Sequence, residues 1–103
     1  MKVRIKKEFE HAVLPTRRSE YAAGYDLYAC IGNGNPKEDY VVIQPGETKK
    51  IDTGVSMELP NEYAGFIFAR SGLATDHGIK PANCVGLIDP DYRGHYIVAV
   101  HND

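Results

Sequence analysis

Hydrophobic residues recur along this chain in short runs, and the runs are cut before they reach helical length. KVRIK sets Val3 and Ile5 on one side of an alternating segment, the period expected of a strand with one covered face. YVVIQ (40–44) is a β-branched run that stops at Pro45-Gly46, a turn dipeptide, and predicts a second strand. Val55, Met57 and Leu59 alternate with Ser56 and Glu58 up to Pro60. AGFIFAR places Phe66 and Phe68 on one face, and HYIVAVHN is a further run rich in β-branched residues. Proline or glycine interrupts nearly every window, so helix signals are scarce. GNGNPKED (32–39) is too polar and too glycine-rich to pack and reads as a surface loop. Many short strands with regular turn signals predict an all-β barrel or sandwich. Internal repeats and low-complexity tracts are absent.

Length and composition narrow the class. With 103 residues the chain has room for one core, so a single domain over 1–103 is expected. Twelve basic against fourteen acidic residues give a net charge of −2, which argues against a duplex nucleic-acid binder. No apolar run approaches the ~20 residues of a membrane span, and MKVRIKKEF lacks the apolar segment of a signal peptide. Cys30 and Cys84 lie far apart without a CxxC pair; they read as reduced thiols in a cytoplasmic protein, with a single disulfide as the alternative.

Three clusters carry residues that a plain β reading leaves unexplained. In AAGYDLYAC (22–30), Asp26 interrupts a strand-like run, where aspartate is disfavoured. It is either an exposed residue of an edge strand or a functional acid. In FARSGLATDHG (68–78), Arg70, Ser71 and Gly72 offer a guanidinium, a hydroxyl and a sterically free backbone in succession. Those are the parts of an anion cradle, and equally of a glycine turn beside a salt-bridged arginine. His77 has no assigned place. In NCVGLIDPDYRG (83–94), an apolar run ends on Asp89, and an acid there needs a partner or a task. Asn83 offers both a donor and an acceptor, and Gly86 lets something approach the backbone. Uracil presents a planar edge that alternates acceptor, donor and acceptor, which suits an asparagine and backbone groups. Asp89 is placed to activate a water, and Tyr92 to lay its ring on a sugar. The bland alternative is a hairpin in which Asp89 caps its own turn.

Taken in this order, the three clusters resemble the motifs of the homotrimeric deoxyuridine triphosphatases. AGYDLYA is similar to that family's first motif, ARSGLATDHGI to its second and NCVGLIDPDYRG to its third. The connecting IQPGETKKIDTGVSMELPNEYAG also resembles the family's linker, so the likeness runs over essentially the whole chain. It implies an all-β, jelly-roll-like barrel and hydrolysis of dUTP to dUMP and pyrophosphate in nucleotide metabolism.

The resemblance assigns roles. Asp89 matches the aspartate that activates the water attacking the α-phosphorus. Asn83 and the backbone of Gly86, Leu87 and Ile88 match the uracil-pairing hairpin, with Ile97 beside the base. Tyr92 matches the tyrosine that packs on deoxyribose and excludes a 2′-hydroxyl. Arg70, Ser71 and Gly72 match the phosphate loop. Asp26 matches the acid that orients waters around Mg²⁺, an ion carried mainly by the triphosphate. A homotrimer with shared active sites is implied as well, and neither a nucleic-acid nor a membrane partner.

Two departures stand out. Ala69 takes the place where the family usually has proline before Arg-Ser-Gly. The family also continues into a glutamine-bearing fourth motif and a glycine-rich fifth motif that closes over the nucleotide from a neighbouring subunit. This chain stops at Asp103 without either. A barrel incomplete at its C-terminal side, a weaker phosphate grip and a slower rate are therefore expected. The alternative is a nucleotide-binding module with weak or no turnover. Related deoxycytidine triphosphate deaminases need a glutamate five residues past the glycine of the third motif; here that position is Ala99, so deamination is not expected. Nor do Asp26, Asp89 and Asp91 come with histidines at ligand spacing, which argues against a hydrolase whose metal is held by direct protein ligands.

Overall fold

The computed structural model describes residues 1–35 and 37–103, and among them it has seven strands and one short α-helix. In chain order they are β1 (Arg4–Lys7), β2 (Thr48–Asp52), β3 (Val55–Glu58), β4 (Gly65–Ile67), α1 (Ser71–His77), β5 (Ile79–Pro81), β6 (Gly86–Ile88) and β7 (Ile97–Asn102). All pairings are antiparallel: β1 with β3, β4 with β6, and a three-stranded sheet ordered β2-β7-β5. Among the described residues these sheets do not close into a barrel.

The corner between β2 and β3 moves the chain from one sheet to another, and its side chains explain how. The Asp52 carboxylate accepts the Gly54 N–H at 2.7 Å, the self-capping habit of aspartate in turns. Thr53 is buried, and its hydroxyl donates to the Tyr96 carbonyl at 2.7 Å. Gly54 has φ +70°, a conformation natural to glycine. Beyond the corner, Val55 is fully buried with Ala12 and Cys30, and Phe9 and Met57 pack against them. Cys30 and Cys84 are both free, one buried and the other exposed. Tyr96 is buried too, and its hydroxyl has no hydrogen-bond partner among the described residues.

Four local expectations need correction. YVVIQ forms no strand. Two of its carbonyls are taken by side chains instead, Val42 accepting from Lys49 Nζ at 2.6 Å and Ile43 from Asn102 Nδ2 at 2.8 Å, while the Gln44 carbonyl accepts the Glu47 N–H at 2.9 Å. Around Asp26 the strand-like run reduces to one isolated bridge to Thr16. Arg-Ser-Gly opens a helix rather than a simple turn, and Gly78, at φ +66°, ends it by donating its N–H to Ala74. Residues 31–34 form a 3-10 turn that overlaps the start of the segment read as a loop (32–39), of which Pro36 lies outside the described residues. Phe66 and Phe68 do share a face, with rings stacked 6.3 Å apart, but at 60% and 67% exposure that face is not core.

Candidate functional site

The site is assembled where β6 meets β4 and the start of β7. In the β4–β6 ladder glycine faces isoleucine at both ends, Gly65 opposite Ile88 and Ile67 opposite Gly86. A Cβ at Gly86 would stand 3.2 Å from the Ile67 Cβ, so the bare α-carbon first serves the close approach of β4. Sequence reasoning placed a ligand at that approach and did not foresee Ile67. Leu87 points outward opposite Phe66, and both are exposed.

Beside this ladder lies a cleft of ≈170 Å³ bounded by Asn83, Gly86, Leu87, Ile88 and Ile97, together with Ile67, Pro81, Val98 and Ala99. Its volume is below the ~300–1,000 Å³ of pockets that enclose drug-sized ligands, so it suits a single ring rather than a whole nucleotide. Five residues chosen from the sequence for base contact thus come together. Of the others, Ala99 puts a methyl group at the position where deamination chemistry would need an acid. Above the cleft the chain turns through Asn83, whose carbonyl accepts the Val85 N–H at 2.7 Å. Cys84 takes φ +66°, sparsely populated for a residue with a side chain. Such strain persists only where the surroundings enforce it, and it concentrates at binding loops.

Asp89 follows β6 directly and opens a β-turn closed by the Tyr92 N–H on the Asp89 carbonyl at 3.1 Å. Pro90 occupies the second position of that turn, where its fixed φ is favoured. The Asp89 side chain is exposed and makes no hydrogen bond or ion pair among the described residues. It is not the cap of its own turn. Tyr92 folds back so that its hydroxyl donates to the His95 carbonyl at 2.8 Å, and its ring lies 6.2 Å from that of Tyr96. Gly94 makes this possible, since a Cβ there would fall 2.5 Å from the Tyr92 hydroxyl oxygen.

The remaining residues meet across the first two motifs. Arg70 Nε lies 3.7 Å from Asp26 Oδ1, with the guanidinium side chain 57% exposed. A pair this open contributes only ~0–1 kcal/mol, so either partner can be released to a ligand at little cost. Ser71 and Gly72 begin α1, where the first backbone N–H groups have no intrahelical acceptor. Among the described residues no three His, Cys, Asp or Glu side chains converge as metal ligands. A lone, part-exposed carboxylate at Asp26 fits an ion held mostly by phosphate oxygens and water, and does not fit a protein cage.

A charged cluster that the sequence did not suggest lies behind Tyr92. His95 is bracketed by two carboxylates, Nδ1 2.9 Å from Asp52 Oδ2 and Nε2 3.1 Å from Glu8 Oε2. Its imidazole is held above the ordinary 6.5, chiefly by the hydrogen bond to Asp52, against some desolvation and with help from both acidic charges. At Glu8 partial desolvation pushes upward, but the Ser56 hydroxyl, Lys6 and His95 together outweigh it and hold the carboxyl below 4.5.

Comparison with known proteins identifies the family of the chain. The dUTPase family model matches residues 10–103. A deoxyuridine 5'-triphosphate nucleotidohydrolase of Psychrobacter sp. is 47% identical over 91 residues, covering 86% of this chain and 54% of that protein. One from Thermoanaerobacter sp. is 44% identical over 102 residues, covering 99% and 65%. Among solved structures, a mutant dUTPase of Staphylococcus bacteriophage 80alpha with dUpNHpp superposes with a TM-score of 0.84 at 26% identity, covering 99% of this chain and 59% of that one. The dUTPase of phage phi11 of S. aureus gives 0.85 at 27%, covering 100% and 60%. A mutant form of the latter is described with a structural Mg(II) ion. The chain therefore spans between about half and two thirds of the length of these relatives.

Proposed function

The chain belongs to the dUTPase family, and from that premise we propose that it binds dUTP and hydrolyses it to dUMP and pyrophosphate. The observation that carries this reading is the convergence of Asn83, Gly86, Leu87, Ile88 and Ile97 on one base-sized cleft, with the Asp89 carboxylate, unpartnered among the described residues, directly after the same strand.

Uracil enters the cleft with its polar edge toward Asn83 and the backbone of 86–88. A site built to hydrogen-bond one edge leaves its own groups unpaired against another base, a penalty of up to ~10⁴–10⁵-fold in favourable cases. Cytosine is disfavoured in that way, and thymine by its methyl group. Tyr92 lies over the deoxyribose. Arg70 leaves Asp26 for the phosphates, joined by the Ser71 hydroxyl and the N–H groups of Ser71 and Gly72. When bound, Mg²⁺ supplies charge neutralisation along the triphosphate, with Asp26 ordering waters around it. The Asp89 carboxylate takes a proton from a water as its oxygen bonds to the α-phosphorus. The bond from that phosphorus to the bridging oxygen breaks, and pyrophosphate departs.

Assembly into a homotrimer that completes each site belongs to the same reading. It is supported by the exposed apolar face of Phe66, Phe68 and Leu87, which an assembly would cover. A cytoplasmic location suits the substrate, and no helix among the described residues is long and apolar enough to cross a membrane.

Binding can be tested apart from turnover by titrating isotope-labelled protein with dUMP, UMP, dCMP and dTMP while following backbone amide shifts. dUMP alone is expected to saturate at sub-millimolar concentration, shifting Asn83, Gly86–Ile88 and Ile97. Equal response to dCMP, or shifts elsewhere on the surface, would overturn the assignment of the cleft.

A further inference from the structure

Among the described residues the side chains of the Glu8–His95–Asp52 cluster form no hydrogen bond to the cleft residues, yet the cluster is joined to the site by its backbone. A neutral imidazole has one N–H and one bare lone pair. With a carboxylate oxygen within 3.1 Å of each nitrogen, the neutral ring would set a lone pair against an acid, so the geometry calls for a ring protonated at both positions. The ring is fixed further by the Phe9 edge, 5.6 Å away and nearly perpendicular. Each acid is itself held: Glu8 Oε1 accepts from Ser56 Oγ at 3.2 Å, and Asp52 Oδ1 from the Gly54 N–H. Glu8 follows β1, Asp52 ends β2 and Ser56 lies on β3, so three strands fix the side chain of residue 95.

What they fix is the acceptor of Tyr92. The His95 carbonyl receives the Tyr92 hydroxyl at 2.8 Å, across a glycine that has no side chain to obstruct the ring. Asp52 is also the ladder partner of Ile97, in the cleft wall. We propose that the Glu8–His95–Asp52 clamp is a positioning device for Tyr92 and so sets the preference for deoxyribose over ribose, an inference that rests on the deoxyuridine nucleotide reading above.

Every charged group facing the ring bears on its pH dependence. Asp52 faces it from β2, Glu8 from the end of β1, and Lys6 stands 3.5 Å behind Glu8. Arg93 is turned away to the carbonyls of Pro90 and Tyr92. Because the folded imidazole titrates above 6.5, the clamp is complete below that pH and opens as pH rises through the folded value. At the acid end the Glu8 side of the clamp is lost as pH falls through the lowered Glu8 value, beneath 4.5.

The test is the ratio of dUMP to UMP affinity, measured by calorimetry at about pH 6 and about pH 9 on the wild type, His95→Gln, Tyr92→Phe and the double variant. One lost hydrogen bond corresponds to roughly a two- to tenfold effect. The wild-type ratio is expected to fall by that factor between the two pH values, and His95→Gln to sit at the lower ratio at both. Tyr92→Phe, which leaves the clamp intact, should match it, and the double variant should fall no further. An unchanged, pH-independent ratio in His95→Gln, with both affinities lowered equally, would make the clamp merely structural and overturn the proposal. Additive losses in the double variant would overturn it too. If the wild type binds neither nucleotide, the deoxyuridine reading itself has failed and the proposal falls with it; a wild type that prefers dUMP while the variants keep that preference sinks the proposal alone.

Discussion

Asp89→Asn is expected to lower dUTP turnover by ~10²–10⁴-fold, the usual contribution of a positioned general base, while nucleotide affinity stays within about twofold. The separation of the two effects follows from how Asp89 is held. Its carboxylate is exposed and engages no other side chain, and the turn it opens is closed by its backbone carbonyl. Asparagine keeps the shape and is equally accepted at the first position of such a turn, so neither the hairpin nor the cleft should change. Only proton uptake from water is lost. Steady-state rates, with calorimetry on a non-hydrolysable dUTP analogue, check both halves. Unaltered turnover would remove Asp89 from the chemistry, and a matching loss of affinity would make it a binding residue instead.

Gly54→Ala should be the most damaging single-methyl change to the fold. The position combines a φ of +70° with a would-be Cβ only 2.8 Å from the Ala12 Cβ and 3.1 Å from the Cys30 Cβ, both in the core beside Val55. Left-handed backbone costs a residue with a side chain about 1–2 kcal/mol, and forcing a methyl into a packed core about 1–3 more. Together these approach half of a small domain's typical stability of about 5–15 kcal/mol. Gly46→Ala provides the control, for it shares a positive φ of +80° but would meet nothing within 4 Å. Denaturant unfolding should show the Gly54 variant losing about 2–5 kcal/mol and the Gly46 variant about 1–2. Equal losses would mean that backbone conformation, not close packing, is what Gly54 supplies.

Strands with their own alternation or a β-branched run were readable where a neighbour exists to pair with them. HYIVAVHN became the central strand of its sheet, and Val55-Ser56-Met57-Glu58 became β3. YVVIQ has equal local propensity but no partner strand among the described residues, and β propensity without a ladder does not make a strand. The helix at 71–77 escaped notice because seven residues with a glycine at the second carry almost no periodic signal. Its terminating Gly78 was the one cue available. At the site, the third motif disclosed Asn83, Gly86, Leu87 and Ile88 together because they lie within one short stretch of chain that borders the cleft. Ile67, Pro81 and Val98 arrive from other strands through register, which no local pattern encodes. The His95 clamp is the extreme case: its partners lie 43 and 87 positions away, and a histidine on its own says nothing of them.

The most direct test is to incubate the purified protein with Mg²⁺ and dUTP, beside dCTP, dTTP and UTP, and separate the products by chromatography. dUTP alone should be consumed, giving dUMP and pyrophosphate in equal amounts. Nucleotide binding with no product from any substrate would contradict the hydrolase account and leave a uracil-binding module, and release of dUTP from dCTP would place the chemistry at the base rather than at the α-phosphorus.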